Sequence, residues 1–283
     1  MTAKLWSAEF PLIRLEGDGA AQFLHGQTSA DVCGAGLDVL VDACLLTAAG
    51  KVRALLEIRV DRNGAGVLVL AGDAEAVHTG FDTIIFPADK VRLLPLSQCH
   101  RIQQLTTANT LQLERYWLAT SEDLPPEWLN LPVASQEQVE RWRIRLDLPL
   151  GRGEVDGSFN PLELGLEAWV SLSKGCYLGQ ETIIKLVRAN GGLRQRLCSW
   201  QATASISVGT KLKDPRGAVS SRSVGIVTSS ISLDDKRIGL AMIHRQALSA
   251  TFLVTTETDS IVQLTSQSIY PGCSKPQATR LDT

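Results

Sequence analysis

Apolar and polar residues alternate with a period of two over positions 39–71, and this pattern limits the fold more than any other feature of the sequence. The stretch reads VLVDACLLT, the turn AAG, KVRALLEIRV, the turn DRNG and AGVLVLAG. Successive side chains of a strand point to opposite faces of a sheet, so this alternation predicts strands, and the Gly- and Asn-containing turns predict hairpins. We therefore predict a three-stranded antiparallel meander.

Helical patterns interrupt the strand-like segments at three places in the first half of the chain. Asp18 is a candidate N-cap for a helix that turns Ala21, Phe23 and Leu24 inward, and a second helical pattern covers 73 to about 86. The strand-like stretches DKVRLLPLS and HRIQQLTTA follow it. Because strands and helices are mixed without the regular order of a parallel sheet, the predicted fold class is α+β.

A third helix is predicted after a proline-rich segment. Residues 121–133 hold three prolines and are typical of a loop or crossover, and Ser135 with Gln138 three positions later forms a capping-box pattern. The helix that this pattern opens runs through Val139 and Trp142 towards Leu146.

The predicted secondary structure changes after Arg196, from mixed helices and strands to short strands alone. The stretches LCSWQAT, TKLKD, SVGIVTSSI, RIGLAMIH, TFLVTTE and SIVQLTS are short strands separated by turns, as in a small barrel or sandwich. A length of 283 residues fits two or three domains of about 100–200 residues each. We predict a first region over 1–195 and a β-barrel domain over 196–283, with a loose tail after Pro271.

Composition and charge exclude several classes of function. A net charge of -2 gives no overall field that would attract nucleic acid or an anionic membrane. The six cysteines include no CxxC pair and no short His/Cys cluster, so no metal-ligand set is predicted. The N-terminal segment meets Glu9, Arg14 and Glu16 before an apolar signal-peptide core forms, and no apolar run reaches the roughly 20 residues of a membrane helix. We expect a reducing, cytoplasmic environment with free thiols.

The most chemically suggestive stretch is SLSKGCYLGQETIIKLVRANGG, residues 171–192. Lys174 lies two residues before Cys176, and a helix is predicted to open at Gly179–Glu181. An ammonium group and a helix N-terminus both favour a thiolate, which makes Cys176 a candidate reactive thiol. Gln180 offers planar hydrogen bonding to a heterocycle edge. The alternative is that Cys176 is a small buried residue at a tight turn and that Glu181 merely complements the helix dipole.

A run of basic residues follows this stretch. No acidic residue lies between Glu181 and Asp214, and the interval contains Lys185, Arg188, Arg194, Arg196, Lys211 and Lys213. Such a local positive field suits a carboxylate or phosphate group, although a solvated face is the ordinary explanation for each residue alone.

The motif around Cys176 resembles the signature of the YgfZ family of folate-binding proteins, which are related to the glycine-cleavage T-protein, an aminomethyltransferase. The signature K-G-C-[YF]-x-G-Q-E is matched in full by residues 174–181. Four further segments match in order: IRLEGDGAAQFLHGQTSADV, LLTAAGKVRALLEIRV, FNPLELGL and SVGIVTSS with IGLAMI. The resemblance therefore covers nearly the whole chain.

The resemblance implies an α+β fold that forms a T-protein-like three-part ring around a central channel. Two interleaved subdomains and a C-terminal β-barrel make the ring, and the channel takes tetrahydrofolate or a one-carbon derivative. The family is implicated in the synthesis or repair of iron–sulfur enzymes, including enzymes that modify tRNA, so such proteins are the implied partners. In this interpretation Lys174 and Cys176 are the functional pair. The implied cofactor-binding residues are Tyr177, Gln180, Glu181, Lys185, Glu163 and Arg188.

The chain departs from the T-protein pattern at three positions, so enzymatic activity stays open. Ala54 and Leu55 stand where the resemblance places a catalytic aspartate, and Arg145 stands where a pterin-binding glutamate is common. Asp147 or Glu163 are candidate substitutes for that glutamate. Lys185 stands where the family has an arginine after Q-E; lysine keeps the positive charge but lacks the planar guanidinium group.

Two other functions remain as alternatives. One is a folate-dependent one-carbon transferase, against which Ala54 and Leu55 count. The other is a non-catalytic scaffold that contacts tRNA or a tRNA-modifying partner, whose binding would weaken steeply with salt because phosphate contacts release counterions.

Overall fold

The chain is represented by a computed structural model that describes residues 3–105, 114–118, 124–188, 192–216 and 223–265. It has the predicted α+β character, with two antiparallel β structures and four α-helices. The predicted loose tail after Pro271 and parts of the proline-rich segment lie outside the described residues.

Seven antiparallel strands form the first sheet, in the order β2-β3-β4-β1-β6-β7, with β5 paired to β1. The strands are β1 (Lys4–Glu16), β2 (Leu40–Leu46), β3 (Val52–Asp61), β4 (Gly64–Gly72), β5 (Arg92–Leu93), β6 (Ser97–Leu105) and β7 (Arg115–Leu118). The predicted meander over 39–71 is confirmed as β2-β3-β4. The strand-like stretches after position 89 are confirmed as β5 and β6.

The four helices are α1 (Ala20–Gln27), α2 (Ala74–Ile84), α3 (Gln136–Arg145) and α4 (Gln180–Arg188). The Ser135–Gln138 capping box of α3 is confirmed, with the Gln138 amide donating to Ser135 Oγ. The predicted N-cap of α1 is wrong by one residue: Gly19 takes this position, and no side chain caps the helix. Helix α2 ends two residues earlier than predicted, since the backbone is already extended at Ile85 before the turn at Pro87.

One face of the sheet packs against α1 and α2. Alternate residues of β1–β4, such as Ile13, Ile58 and Val67, meet Phe23 and Phe81 from the two helices. On the opposite face a second core joins β2 and β3 to the segment 144–186 and to barrel residues, so the remaining part of the chain packs directly on the sheet.

Six strands close the C-terminal barrel in the order β10-β11-β8-β13-β12-β9. They are β8 (Gln195–Ala202), β9 (Lys211–Lys213), β10 (Gly225–Leu233), β11 (Lys236–His244), β12 (Phe252–Thr255) and β13 (Ile261–Leu264). Trp200, Leu253 and Val262 lie in its apolar interior. Closure leaves the barrel without an open sheet edge.

A buried polar cluster ties the barrel to α3. Arg143 Nη2 donates to Ser229 Oγ on β10 at 2.8 Å, and Ser229 Oγ donates to Glu154 Oε1 at 2.6 Å. Arg143 Nη1 lies 3.5 Å from Glu154 Oε2. Three separate segments of the chain thus meet at one buried ion pair.

Candidate functional site

The turn that carries Cys176 is held against the β2–β3 hairpin by two glycines. Gly179 has a φ of +82°, and a Cβ there would lie 2.6 Å from the Thr47 carbonyl oxygen and 3.0 Å from Gly50 Cα. Gly50 also has a positive φ, of +69°. The backbones of the two turns therefore touch where neither residue could carry a side chain without strain.

Lys174 fixes the same turn to the end of α1. Its Nζ donates to the carbonyl oxygens of His25, Thr28 at 2.6 Å and Ala30 at 2.8 Å, and lies 4.8 Å from the centre of the Tyr177 ring. Burial lowers the pKa of Lys174 to about 8, which leaves the ammonium form dominant at neutral pH. All three hydrogen-bond acceptors are backbone carbonyls, so Lys174 acts as a clamp between α1 and the turn.

Cys176 is exposed, as are Leu172 and Leu178 in the same segment of the chain. The thiol is not sealed in hydrocarbon, so the interpretation of Cys176 as a small buried residue is wrong. Gln180 Nε2 donates to the Lys174 carbonyl at 3.4 Å and closes the turn ahead of α4. An accessible thiol on a braced loop can be reached by a protein or small-molecule partner.

The other predicted cofactor-binding residues separate into exposed and buried groups. Glu181, Lys185 and Arg188 lie on the exposed face of α4, and Lys185 Nζ pairs with Glu181 Oε1 at 2.7 Å. Tyr177 is buried, and burial raises the pKa of its hydroxyl to about 12. Glu163 is buried as well, and its Oε2 accepts a hydrogen bond from the backbone N–H of Asn160 at 3.1 Å.

Glu163 and Tyr177 differ in what they can offer a ligand. Glu163 Oε2 also lies 3.5 Å from Lys51 Nζ, so this carboxylate already has two partners within the fold. The Tyr177 hydroxyl has no hydrogen-bond partner among the described residues. Tyr177 therefore keeps a free polar group at the base of the turn.

Three of the six basic residues in the interval after Glu181 form ion pairs with acidic residues. Arg196 pairs with Glu167 at 3.0 Å, and Lys213 pairs with Asp259 at 2.8 Å. These pairs and the Lys185–Glu181 pair weaken the positive field that the sequence predicts there.

The first sheet is strongly curled, and its curled side forms a second part of the site. Strands β2 and β7 lie at opposite ends of the strand order, about 24 Å apart if the sheet were flat. Yet Arg115 Nη1 on β7 donates to Asp42 Oδ2 on β2 at 2.9 Å. The two edges therefore approach each other, and we call the side between them the concave face. Its aromatic and charged side chains include Trp6, Phe10, Arg14, Asp42, Glu57, Arg59, Asp61, Arg101, Arg115 and Trp117.

Glu57 is the centre of the concave face and is fully buried. Its carboxylate accepts from Arg101 Nε and Nη2 at 3.0 Å each, and from Trp117 Nε1 at 2.6 Å. Arg115 Nε lies 2.8 Å from Oε2. Burial alone would raise the pKa of Glu57, but the two guanidinium groups hold it below its usual value.

Aromatic rings line the concave face around this cluster. Trp117 lies across Gly66, where a Cβ would be 2.8 Å from the indole ring. The Arg59 guanidinium stacks 5.0 Å from the centre of Trp117, and that of Arg101 lies 5.2 Å from Trp6. Trp142 of α3 packs on Trp6 with ring centres 6.0 Å apart.

Several buried polar atoms of this region lack a hydrogen-bond partner among the described residues. They are Asp42 Oδ1, Arg59 Nε, Arg101 Nη1 and Trp142 Nε1. Buried polar groups are nearly always paired in folded proteins, so a cluster of unpaired ones beside aromatic rings indicates a place for a ligand.

The concave face continues to the Cys176 turn. On β2, Asp42, Cys44 and Leu46 point to the same side, and Cys44 and Leu46 belong to the core that contains Tyr177. The charged part of the face and the core beneath the Cys176 turn therefore lie on the same side of one strand, β2.

The sequence reasoning missed the concave face. The available signal was the pair Glu57 and Arg59, two charged residues spaced by two within the otherwise apolar stretch ALLEIRV. At the positions of the expected catalytic aspartate, Ala54 and Leu55 are fully buried in the cores on opposite sides of the sheet. Arg145 lies exposed at the end of α3.

No metal site and no membrane span emerge from the described part of the chain. Within it, no three His, Cys, Asp or Glu residues lie close enough together to hold a metal ion. None of the helices found there has the length and apolar character needed to cross a bilayer.

Comparison with known proteins gives two sequence relatives and a fold. No protein-family profile matches the chain. It is 24% identical over 296 residues to the tRNA-modifying protein YgfZ of Serratia proteamaculans, covering 90% of this chain and 88% of that protein. The glycine cleavage system aminomethyltransferase T of Bartonella henselae superposes with a TM-score of 0.72 at 14% identity, covering 94% and 86% of the two chains. The predicted resemblance to the YgfZ and T-protein family is confirmed.

A further relative is a chloroplastic protein of Arabidopsis thaliana named as a candidate transferase. It is 24% identical over 297 residues, covering 89% of this chain and 67% of that protein. The T-protein-like fold and the C-terminal barrel that the sequence predicts are confirmed by the structural match and by the strand order of the barrel.

Proposed function

We propose that the protein binds tetrahydrofolate, or a one-carbon derivative of it, on the concave face and uses Cys176 to support iron–sulfur proteins, including enzymes that modify tRNA. The observation that carries the proposal is that the concave face and the core beneath the exposed Cys176 turn lie on the same side of β2. A face with tryptophan rings and unpaired buried N–H groups suits a flat, polar heterocycle such as a reduced pterin. The similarity to a protein named as tRNA-modifying supports the choice of client.

In this proposal the two parts of the site have separate tasks. The concave face holds the folate, while Cys176 engages a client through its sulfur, with Lys174 keeping the turn in position. An exposed thiol of this kind needs a reducing compartment, such as the cytoplasm, to stay free. Tyr177 belongs to the core beneath the turn, and its buried hydroxyl has no hydrogen-bond partner among the described residues.

Binding and client support can be tested separately. Calorimetry with tetrahydrofolate and its 5-formyl form measures binding to the wild-type protein and to Cys176→Ala. We expect both proteins to bind folate, whereas cells that depend on Cys176→Ala lose the activity of an iron–sulfur enzyme that thiolates tRNA. Cys33→Ala is a matched control, because Cys33 is also exposed. Full client activity in Cys176→Ala, or no folate binding by the wild type, overturns the corresponding half of the proposal.

The fold similarity to an aminomethyltransferase raises catalysis of one-carbon transfer as a second candidate. Position 55 carries no carboxylate, and the nearest one along β3 is Glu57, whose two oxygens accept four N–H groups. A carboxylate so engaged, with a lowered pKa, is a poor proton acceptor. We therefore expect no tetrahydrofolate-dependent aminomethyl transfer in a direct assay, and measurable turnover would restore this candidate.

A further inference from the structure

The arginines of the first sheet differ in one respect that bears on ligand binding. Arg14, Arg101 and Arg115 each contact a carboxylate at 3.0 Å or less. Arg59 also lies on the concave face but forms no ion pair with any acidic residue that the structure describes. Asp61, two residues further along β3 on the same face, is already bound by two nitrogens of Arg14.

Arg59 is also held in place. Its guanidinium group stacks on the Trp117 ring at 5.0 Å, and its side chain is partly buried. Its Nε is buried and has no acceptor among the described residues. A partly buried guanidinium without a counter-charge is unfavourable unless an anion completes it, and its planar fork matches a carboxylate.

The charge balance of the concave face points the same way. Around Glu57 and Trp117 the face carries four arginines, Arg14, Arg59, Arg101 and Arg115, and three carboxylates, Asp42, Glu57 and Asp61. Arg14 and Asp61 pair with each other. Glu57 and Asp42 are both engaged by Arg115, and Glu57 by Arg101 as well. One positive charge remains, and it lies on the arginine that is stacked and unpaired.

We infer that Arg59 is the residue that binds the carboxylate of the ligand, and that Trp117 beneath it packs against the adjoining planar part of the same molecule. This inference rests on the proposed folate function and names its specificity-determining group. The ligand class is a flat aromatic molecule with a terminal carboxylate, as in the glutamyl end of a folate. It assigns the anionic end to the first sheet rather than to the basic interval after Glu181.

The test compares three arginines and two ligands by calorimetry. Tetrahydrofolate carries the glutamyl carboxylates, whereas 6-methyltetrahydropterin has the same ring system without any carboxylate. For Arg59→Met we expect affinity for tetrahydrofolate to fall by about 10-fold or more, as for loss of a charge-assisted bidentate contact, with no change for 6-methyltetrahydropterin. Arg59→Lys keeps the charge and loses the fork, so an intermediate affinity is expected.

Arg53→Met is the matched control, because Arg53 is an exposed arginine on the same strand, β3. We expect it to bind both ligands as the wild type does. Arg188→Met tests the alternative that the sequence suggests, in which the exposed arginine of α4 binds the cofactor. A loss of tetrahydrofolate affinity in Arg188→Met but not in Arg59→Met overturns the inference, as does equal weakening of both ligands by Arg59→Met. Failure of the wild type to bind either ligand would instead refute the proposed function. Arg59→Met breaks no ion pair among the described residues, and its fold is checked by its thermal unfolding.

Discussion

Replacement of Glu57 by glutamine tests whether the concave face is built around one buried charge. Glu57→Gln keeps the shape of the side chain but exchanges one carboxylate oxygen for an NH₂ group. Oε2 receives N–H groups from both Arg101 and Arg115, and Oε1 receives them from Arg101 and Trp117. Whichever way the amide is oriented, two donors then face another donor.

The expected loss follows from the burial of this cluster. Arg101 has a side-chain exposure of 2% and Glu57 of 0%, so water cannot replace the missing acceptor. Removal of one partner from a buried ion pair costs about 3–5 kcal/mol, because the remaining charge stays uncompensated. Relative to a total stability of about 5–15 kcal/mol for a folded protein, this is a large fraction.

Urea unfolding followed by circular dichroism measures this loss. Glu16→Gln provides the control, since Glu16 pairs with Arg92 near the surface and such pairs contribute at most about 1 kcal/mol. We expect Glu57→Gln to lower the unfolding free energy by about 3–5 kcal/mol at an unchanged m value. A loss as small as that of Glu16→Gln would refute the view that the concave face is built around the buried charge of Glu57.

Three further predictions concern the Cys176 turn. Lys174→Met leaves three carbonyls without their ammonium donor, so we expect the unfolding free energy to fall by about 2 kcal/mol. Lys185→Met is the control, because Lys185 is exposed and its pair with Glu181 contributes less than about 0.5 kcal/mol. Burial lowers the pKa of Lys174 from 10.5 to about 8, so between these pH values the folded protein binds fewer protons than the unfolded chain. The unfolding free energy of the wild type relative to Lys174→Met should therefore rise with pH from about 8 to about 10.5. A difference that does not change with pH would contradict the burial of the Lys174 ammonium group. Gly179→Ala places a Cβ 2.6 Å from the Thr47 carbonyl at a positive φ and should cost about 2 kcal/mol or more in thermal or urea unfolding, whereas Gly26→Ala, with no atom within 4 Å, should be neutral or stabilising.

The secondary structure was predictable where the signal is local. The apolar runs over 39–71 predicted β2–β4 because the turns AAG and DRNG, which separate them, are local hairpin signals, although both faces of β3 and β4 are largely buried. Ser135 with Gln138 predicted α3 because a capping box involves only four consecutive residues. The N-cap of α1 was missed because Gly19, not Asp18, stands at the helix start, and glycine offers no side-chain signal.

The site was predictable only in part. The spacing of Lys174 and Cys176 identified the turn. The acceptors of Lys174, however, are backbone carbonyls about 145 residues away, and a backbone group gives no residue-type signal in the sequence. The concave face brings Glu57 together with Arg101 and Trp117 across a curled sheet. Such pairing depends on sheet curvature, which is set by tertiary packing and not by any one strand.

The cluster of Arg143, Glu154 and Ser229 bears on how the molecule unfolds. If the barrel detached, Arg143 and Glu154 would both lose their hydrogen bond to the Ser229 hydroxyl. The apolar side chains of Leu197, Leu240 and Met242 would also become exposed to water. Both effects penalise any state in which the barrel is separated but the first sheet remains folded. The two β structures are thus expected to melt together in a single cooperative transition, so that damage to either one lowers the stability of the whole chain.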